Sequence, residues 1–555
     1  MRSLASITTT LLSVSNFSVF VRAQTTGAPC DSPQDSDIYQ SSYLGGDHNI
    51  DPSDLSRFTQ LWNATFNPDE KHWARPLVHT LSSTGRQIVF TASTENRIRT
   101  FDAETGKLLR ERQVAPPWPM DRAYCTKLVS PTLGIMGTPV IYREAGNEIA
   151  FFYVKSYIED YRGPGDAYPP LNSVYYLYGV YLDTLQDLYK YPMIIDGQPS
   201  DNDPRKIFLG GLVLQRPALL LLGDVLYAGF GGLCDAFNYT GSIVAVNLAT
   251  QSTYTWTTQA GNTSLYTDDW TSWHGGGAGG IWQAGMGLSS NGKDVFFTID
   301  NGGGSTSTTL DTVPRSGHSP LAVLSETVAR ITLSEDSGLG IQLIDFFRPS
   351  DWQQDSGEDI GSGGLGLLDA NVFRSPDGAR IGVATSTNPK LYVTRVDNLG
   401  GYLQGGNGMA DGILQTIPLD GEVFGGIASF PLEGGYIYVN PGNTGLSAYA
   451  FTPNSTSSSL FSFAGKASLI NGHWGGAGLP TVTSYKGKPG TGIVWATDVQ
   501  EGLRAYRAVP ENGSLVDLPL PRVEGAMRFG RPAFGDGKVF VVDGAGRLIA
   551  MGRKK

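Results

Sequence analysis

A four-part phrase recurs along this chain, and the recurrence constrains the fold more than any other feature of the sequence. Each copy contains a short segment led by Pro or Gly, a strand rich in β-branched or aromatic residues, an alternating strand, and one more strand before a loop. The spacing of roughly 50 to 80 residues is typical of one β-propeller blade with inserted loops. The copies begin at Arg75, Thr138, Arg216, Gly280, Gly363, Gly425, Gly478 and Arg531.

This pattern predicts an all-β fold, a single β-propeller of about eight four-stranded blades. The 71 glycines and 32 prolines suit a chain with many turns. One blade fewer results if the irregular region between Leu310 and Asp369 is not blade material. A tandem of β-sandwiches is the alternative architecture, because it also produces short strands at regular spacing.

The two ends of the chain favour the propeller over the sandwiches. The last copy, from Arg531 to Gly552, stops after its third strand, whereas a spare strand, "FTQLWNATF" (Phe58 to Phe66), precedes the first copy. Pairing of these ends completes the last blade and removes an open sheet edge. A row of sandwiches would not leave a missing strand at one end and its replacement at the other.

The N-terminus has the pattern of a secretory signal peptide. Arg2 gives a positive start, a moderately apolar run follows, and Ala23 precedes the expected cleavage site. We therefore assign residues 1–23 to a signal peptide, 24–57 to an N-terminal extension and 58–555 to the propeller. Secretion as a glycoprotein is further indicated by N-x-S/T sequons at Asn63, Asn238, Asn262, Asn454 and Asn512.

Charge excludes two classes of partner. The net charge of −11 argues against nucleic acid and anionic membranes, because their phosphates require a basic protein face. After the signal peptide, no segment has the length and apolar character of a membrane span. The partner that we expect is a small-molecule substrate or ligand in the central funnel.

Cysteine usage predicts one disulfide and one free thiol. The chain has three cysteines, Cys30, Cys125 and Cys234, without a C-x-x-C motif or an adjacent pair. Spacing alone does not select the bonded pair, so every pairing stays open.

Candidate ligand-binding residues cluster around glycine-rich phrases. Trp282 lies between two glycine clusters that lack the Lys-Ser/Thr and the helix of a P-loop, so we expect these glycines to allow close backbone packing near the axis. Trp282 either faces the central funnel as a flat platform or packs between sheets. Asn301 ends the following strand, where its amide either coordinates a hard cation or caps a turn. Asp359 precedes the glycine-rich start of another inner strand and is expected to face the axis.

Three phrases of this sequence resemble those of the quinoprotein alcohol dehydrogenases that bind pyrroloquinoline quinone (PQQ). They are "GGIWQAGMGLSSNGKDVFFTIDNG", "DWQQDSGEDIGSGGLGLLD" and "RPAFGDGKVFVVDGAGRLIAMG". The closer resemblance is to a fungal, secreted branch of that superfamily with PQQ-like repeats. It covers nearly the whole chain from about Tyr39 onward and is more specific for fold than for activity.

The resemblance implies a set of roles for the candidate residues. Trp282 matches the tryptophan beneath the quinone, and Asn301 and Asp235 match ligands of the calcium ion beside it. Asp359 matches the carboxylate that accepts the alcohol proton as hydride passes to the quinone. The implied function is a secreted oxidoreductase acting on alcohol or sugar-like hydroxyls, with PQQ and calcium in the funnel. Because the haem signature C-x-x-C-H is missing, electrons would leave to an external acceptor.

Two departures from that family support a second hypothesis. The dehydrogenases have a disulfide between adjacent cysteines and a basic residue beside the quinone, whereas this chain has no Cys-Cys and has Thr387 at the basic position, with Lys390 nearby. The alternative is a propeller without a redox cofactor that serves as a binding or scaffold protein. An enzyme of a secreted or vesicular biosynthetic step on the same fold is the third reading.

Overall fold

The computed structural model is a ring of eight β-sheets. It describes residues 28–46, 48–122, 130–144, 146–158, 169–262, 264–302, 323–335, 338–352, 360–408, 410–453, 459–472 and 477–554. The sheets follow one another along the chain as the blades of a propeller, so the predicted fold and the count of eight are confirmed.

The blades are numbered along the chain, and the strands of each are given from the axis outwards. Blade 1 contains Leu77–Thr80, Gln87–Ala92, Arg97–Asp102 and Leu108–Gln113, and blade 2 contains Val140–Glu144, Asn147–Tyr157, Ser173–Tyr181 and Met193–Ile195. Blade 3 contains Val213–Gln215 with Leu220–Leu222, then Val225–Gly232, Ser242–Asn247 and Thr253–Thr257. Blade 4 contains Ser289–Ser290, Val295–Ile299, Thr327–Ser334 and Gly340–Arg348, beside which Gly401–Tyr402 runs parallel.

Blade 5 contains Leu365–Leu367, Ile381–Thr385, Lys390–Arg395 and Gln415–Pro418, and blade 6 contains Ala428–Phe430, Tyr436–Val439, Ser447–Phe451 and Phe461–Lys466. Blade 7 contains Tyr43–Leu44, Thr481–Ser484, Gly492–Asp498 and Gly502–Arg507, and blade 8 contains Ala533–Gly535, Lys538–Val542, Arg547–Arg553 and Phe58–Thr65. Two small hairpins lie outside the blades, Trp118–Pro119 with Thr132–Leu133 and Pro199–Ser200 with Asp203–Ile207.

The ring closes as the sequence predicts. Phe58–Thr65 pairs antiparallel with Arg547–Arg553 and forms the outer strand of blade 8. Trp62 on this strand packs near Phe101 of blade 1 and Phe540 of blade 8, so its side chain joins the first and last blades. Closure satisfies the edge that the last three strands would otherwise expose.

A second N-terminal element lies at the axis. Residues 31–46, here named the axial segment, form hydrogen bonds with the innermost strands of most blades. In blade 7 its strand Tyr43–Leu44 runs parallel to Thr481–Ser484 and is the strand nearest the axis. Bonds to the other inner strands include Val78 N to Ser32 O, Ile141 N to Pro33 O, Ser290 N to Ile38 O, Leu367 N to Tyr39 O, Ser429 N to Ser41 O, and Ser32 Oγ to Phe534 O.

The hydrophobic core is divided among the interfaces between neighbouring blades. One cluster joins blades 3 and 4 through residues such as Ile243, Trp256 and Phe297, all of which are buried. This placement follows from the alternation of each strand, because both faces of a propeller sheet pack against neighbouring sheets.

Blade 4 departs from the predicted strand order near its start. The phrase at Gly280 was expected to open with a strand, but Gln283–Gly285 forms a 3₁₀ turn and the inner strand shrinks to Ser289–Ser290. Gln283 and Ala284 have positive φ angles of 47° and 46°, which an extended strand does not allow. The turn brings Trp282 to the end of the ring.

Helical structure is confined to short 3₁₀ segments of three to six residues in the part of the chain that the structure describes. These 3₁₀ turns are Pro52–Arg57, Met120–Arg122, Pro169–Asn172, Gln283–Gly285, Gly406–Gly408 and Tyr485–Gly487. Within the same residues, none of the helices has the length and apolar character needed to cross a bilayer.

Candidate functional site

Three of the four residues predicted for the site lie at one end of the ring. In an antiparallel blade the first strand begins at the end where the second strand finishes. Trp282 precedes the first strand of blade 4, Asn301 follows the second strand of that blade, and Asp235 follows the second strand of blade 3. Asp359 lies outside the described residues. The adjoining Ile360 donates its backbone N–H to Oε2 of Glu326 at 2.9 Å.

Trp282 is held against glycine backbone and keeps part of its surface exposed. A Cβ atom on Gly231 would lie 2.6 Å from Cε2 of the indole, and one on Gly280 would lie 2.6 Å from Nε1. Any larger residue at either position would therefore displace the ring. The glycines around Trp282 provide close packing, as the sequence predicted, and they leave the indole a fixed orientation.

Asn301 and Asp235 have local hydrogen-bond partners. Asn301 accepts a bond from Gly279 N at its backbone oxygen, and its own N–H donates to Oδ1 of Asp300 at 2.6 Å. The Asp235 carboxylate accepts from the hydroxyl of Tyr239 at 2.9 Å. The side chain of Asn301 is exposed.

These two oxygen donors do not make a calcium site on their own. Calcium takes about six to eight oxygen ligands. Among the residues with described positions, no three His, Cys, Asp or Glu side chains lie close enough to share an ion. Asn301 and Asp235 are therefore too few oxygen donors to hold calcium by themselves.

The position that the resemblance assigns to a basic residue is also different in the structure. Thr387 is buried, and Lys390 directs Nζ to Oδ2 of Asp351 at 2.5 Å. The lysine of blade 5 is therefore paired with a carboxylate of the neighbouring loop. Neither Thr387 nor Lys390 lines the cavity at the axis of the ring.

A cavity opens at the axis where the innermost strands begin. The cavity itself is small, about 20 Å³, and the space becomes about 400 Å³ only when the open solvent at its mouth is included. We name it the funnel and define it by six of its lining residues, Asp35, Trp73, Arg75, Arg216, Phe529 and Arg531.

Aromatic rings surround the funnel. Trp73 and Phe529 have ring centroids 6.5 Å apart, and Phe424 lies 5.9 Å from Phe529. Trp73 and Trp282 pack against one apolar cluster that includes Met136. All four rings keep part of their surface exposed, so this end of the ring presents a partly open aromatic surface.

The floor of the funnel is cationic. Arg75, Arg216 and Arg531 are only 4%, 5% and 4% exposed, and the one carboxylate that lines the cavity with them is Asp35, at 3%. Arg531 forms the ion pair with Asp35 at 2.7 Å. Burial lowers the pKa of Arg75 to about 9 and that of Arg216 to about 10. His72 also lines the funnel, and burial lowers its pKa to about 3, which keeps it neutral at pH 7.

A disulfide-bonded cysteine lies in the same region. Cys234 is disulfide-bonded and Cys30 is a free thiol, which confirms one bonded and one free cysteine; Cys125 lies outside the described residues. Cys234 packs against the apolar cluster that also contacts Trp282. A disulfide therefore lies near the indole although the chain has no adjacent cysteine pair.

The funnel residues Trp73, Phe529 and Asp35 and the three arginines were not identified as site residues from the sequence. Each of the three arginines stands in an Arg-Pro pair, and this shared dipeptide was the available signal. The pair precedes the inner strand in blades 1 and 8 and lies between Val213–Gln215 and Leu220–Leu222 in blade 3. It does not indicate that the side chains meet.

The sequons differ in accessibility. Asn63, Asn262 and Asn512 are exposed, Asn63 on the outer strand of blade 8. Asn238 is half-buried and donates its side-chain N–H to the carbonyl of Thr267. Asn454 lies outside the described residues.

Several solved structures share this fold at low sequence identity. A quinohemoprotein alcohol dehydrogenase from Comamonas testosteroni is 13% identical with a TM-score of 0.62, and the match covers 97% of this chain and 82% of that one. A europium-containing methanol dehydrogenase is 13% identical with a TM-score of 0.58, over 94% and 98%. A quinohemoprotein alcohol dehydrogenase from Pseudomonas putida HK5 is 11% identical with a TM-score of 0.58, over 95% and 80%.

This protein has the fold of the quinoprotein dehydrogenase propellers. No family model matches the sequence, and no curated protein matches it. At 11–13% identity the likeness establishes architecture and leaves activity to the residues of the site.

Proposed function

We propose that this protein binds a small flat molecule at the funnel end of the propeller. The observation that carries the proposal is the partly exposed ring of Trp282, fixed on the backbone of Gly231 and Gly280 beside the funnel. A rigid aromatic face offers stacking area at little entropic cost. Trp73 and Phe529 extend this aromatic surface towards the axis.

Thermal unfolding with PQQ as the flat probe, with and without calcium, tests this binding. A probe at about 100 times its dissociation constant stabilises a fold by roughly 2.7 kcal/mol. Trp282→Leu is expected to abolish the shift, whereas Trp273→Leu, which changes a 63% exposed ring, is expected to retain it. A shift of equal size in both variants would place the probe elsewhere and contradict the proposal.

A secreted quinoprotein that oxidises alcohol or sugar-like hydroxyls is the second candidate. It is supported by the fold shared with alcohol dehydrogenases and by the position of Trp282 beside the funnel. A quinone would supply the electron-accepting chemistry, and Asp359 would accept the hydroxyl proton at its carboxylate. Asn301 and Asp235 would need further oxygen donors to hold calcium.

A dye-linked screen of alcohols and sugars with added PQQ and calcium distinguishes the two candidates. Dye reduction that Asp359→Asn removes, while the thermal shift remains, would favour the oxidoreductase. A thermal shift without dye reduction by any substrate would favour binding alone.

We also propose that the protein is secreted and glycosylated. The signal-like N-terminus, the exposed sequons at Asn63, Asn262 and Asn512, and the disulfide of Cys234 support this assignment, since disulfides persist in oxidising compartments. The mature chain is expected to begin at Gln24. N-terminal sequencing of the secreted protein, and its mass before and after enzymatic deglycosylation, test both statements.

A further inference from the structure

A second cavity lies beside blade 3, apart from the funnel. Its volume is about 200 Å³, and none of its lining residues lines the funnel. The hairpin Pro199–Ser200 with Asp203–Ile207 supplies one wall, and residues 266–270, which come after the outer strand of blade 3, supply another. We name it the side cavity and define it by six of its lining residues, Lys206, Phe208, Thr240, Ser242, Thr257 and Trp270.

Lys206 brings a positive charge to the side cavity without a counterion. The residue is only 5% exposed, and its Nζ donates to the carbonyls of Leu265 and Gly276. Among the described residues no carboxylate forms an ion pair with this Nζ, because Asp203 is bound by Arg205 at 2.7 Å. An ammonium group has three donors, so one donor remains for a ligand. Buried charge of this kind usually has a partner.

Three hydroxyl groups of the side cavity, here named the acceptor wall, offer lone pairs to a ligand. Thr240 donates its hydroxyl hydrogen to Gly276 O at 2.6 Å, and Ser242 donates to Thr240 O at 3.1 Å. Thr257 donates to Gly241 O at 3.3 Å. A hydroxyl has one hydrogen and two lone pairs, so each group that has donated can still accept. Ligand hydroxyls would supply the matching donors.

The rest of the lining is largely apolar. Phe208 and Leu212 are buried, and the half-buried Trp270 packs against them in one cluster. Tyr266 lies at the mouth, with its ring centroid 5.7 Å from Nζ of Lys206. A drug-sized ligand needs a pocket of at least roughly 300 Å³, so this smaller cavity suits a single sugar ring.

We propose that the side cavity binds a sugar acid, with its carboxylate at Lys206 and its hydroxyls at the acceptor wall. A pyranose ring has apolar C–H faces and hydroxyl edges, which match the two kinds of lining. The carboxylate distinguishes this ligand from a neutral sugar, because it accepts the remaining donor of the ammonium group in a charge-assisted hydrogen bond. The site is separate from the one proposed at Trp282, and binding there involves no chemical step.

Calorimetric titration of the full-length mature protein with galacturonate and with galactose tests the proposal. The probes share a ring, and galacturonate has a carboxylate where galactose has a hydroxymethyl group. We expect galacturonate to bind at least roughly tenfold more tightly, about 1.4 kcal/mol. Equal affinities, or no binding of either probe, would overturn the proposal. Trp282→Leu is expected to leave both affinities unchanged, which separates this site from the funnel end.

Lys206→Met is expected to remove the preference for galacturonate while galactose still binds. Lys155→Met is the matched control, since Lys155 is also buried and donates to two backbone carbonyls, but does not line the side cavity. Retention of the preference in Lys206→Met, or its loss in both variants, would overturn the role of the ammonium group. Ser242→Ala removes one acceptor and is expected to weaken both probes alike.

An N-linked glycan at Asn238 is the competing occupant of the side cavity. Asn238 begins a sequon and lines this cavity, where its side-chain N–H donates to the carbonyl of Thr267. We expect peptide mass mapping of the secreted protein to find Asn238 unmodified. A fully glycosylated Asn238 would overturn the proposal, because its first sugar would take the space of the ligand.

If Lys206→Met does not fold, the pH dependence of the wild-type protein decides. Burial lowers the pKa of Lys206 to about 8, so the preference for galacturonate must fall as the pH rises above about 8. The neighbouring titratable groups are Asp203, Arg205, Tyr266 and Asp268. Hydrogen bonding lowers the pKa of Asp203 and raises the pKa values of Arg205 and Tyr266, so these groups keep their charge state there. A preference that does not change with pH would overturn the proposal.

Discussion

Arg531 donates a hydrogen bond from Nη1 to Oδ2 of Asp35 across 2.7 Å, although the two residues are 496 positions apart in the chain. Both side chains are buried. Nη2 of Arg531 also donates to Oγ of Ser42, so one guanidinium holds the axial segment at two points. The pair therefore fixes the segment that contacts most inner strands of the ring.

Asp35→Asn is predicted to be among the most destabilising single changes in the protein. It removes the carboxylate from a floor with three buried cations, and breaking a buried pair costs on the order of 3–5 kcal/mol. Denaturant unfolding followed by circular dichroism measures the loss. Asp420→Asn is the control, because its pair with Lys466 is exposed and is worth about 0–1 kcal/mol. Equal effects of the two variants would contradict the role given to Asp35.

Trp62→Ala is predicted to weaken closure of the ring. The indole joins blade 8 to blade 1, and its Nε1 donates to the carbonyl of Ala103 at 3.1 Å. Truncation of a packed tryptophan costs roughly 3 kcal/mol, and loosening of the outer strand exposes a sheet edge. We expect a lower unfolding temperature together with concentration-dependent aggregation by size-exclusion chromatography. Trp273→Ala, at an exposed ring, should change neither property.

Gly231→Ala is predicted to displace Trp282. The added Cβ would lie 2.6 Å from the indole, which forces the ring or the strand to move, with a cost of about 1–3 kcal/mol. Tryptophan fluorescence and probe binding measure the displacement. Gly406→Ala is the control, because a Cβ there meets no atom within 4 Å. Unchanged probe binding in Gly231→Ala would show that the indole is not the platform.

Blade architecture could be predicted from the sequence because its signals are local. Most of the phrase starts precede the innermost strand of a blade, but Arg216 follows Val213–Gln215 within blade 3, and Gly478 precedes the second strand of blade 7. The spare strand at Phe58 pairs with the end of the chain. Turn residues and alternation determine such features within a few dozen residues. The phrase at Gly280 also departs from the prediction, since its backbone turns before Ser289–Ser290 forms the strand.

The composition of the candidate site could be predicted only in part. Trp282 was identified because its glycine neighbours are adjacent in sequence. The placement of Arg216 and Asp35 around one cavity depends on ring closure and on the course of the axial segment, which no local pattern encodes. The same holds for the disulfide of Cys234, whose position near Trp282 is a tertiary feature.

His72 is predicted to make stability depend on pH between about 7 and 5. Its ring stacks on Phe66 at a centroid distance of 4.0 Å, and neither ring nitrogen has a hydrogen-bond partner in the described structure. Burial lowers its pKa from 6.5 to about 3. In that interval the unfolded chain binds a proton that the folded protein does not, so stability falls as the pH is lowered.

The loss that His72 contributes between pH 7 and pH 5 is about 2 kcal/mol. In His72→Phe this contribution disappears, and the fall in unfolding free energy over the same interval becomes smaller by that amount. Denaturant unfolding at the two pH values measures the difference between the slopes, which cancels contributions from other groups. A wild-type slope in His72→Phe would mean that the folded protein takes up this proton over the same pH interval as the unfolded chain, with a partner such as Glu70, whose Oε1 lies 3.6 Å from Nε2 of His72.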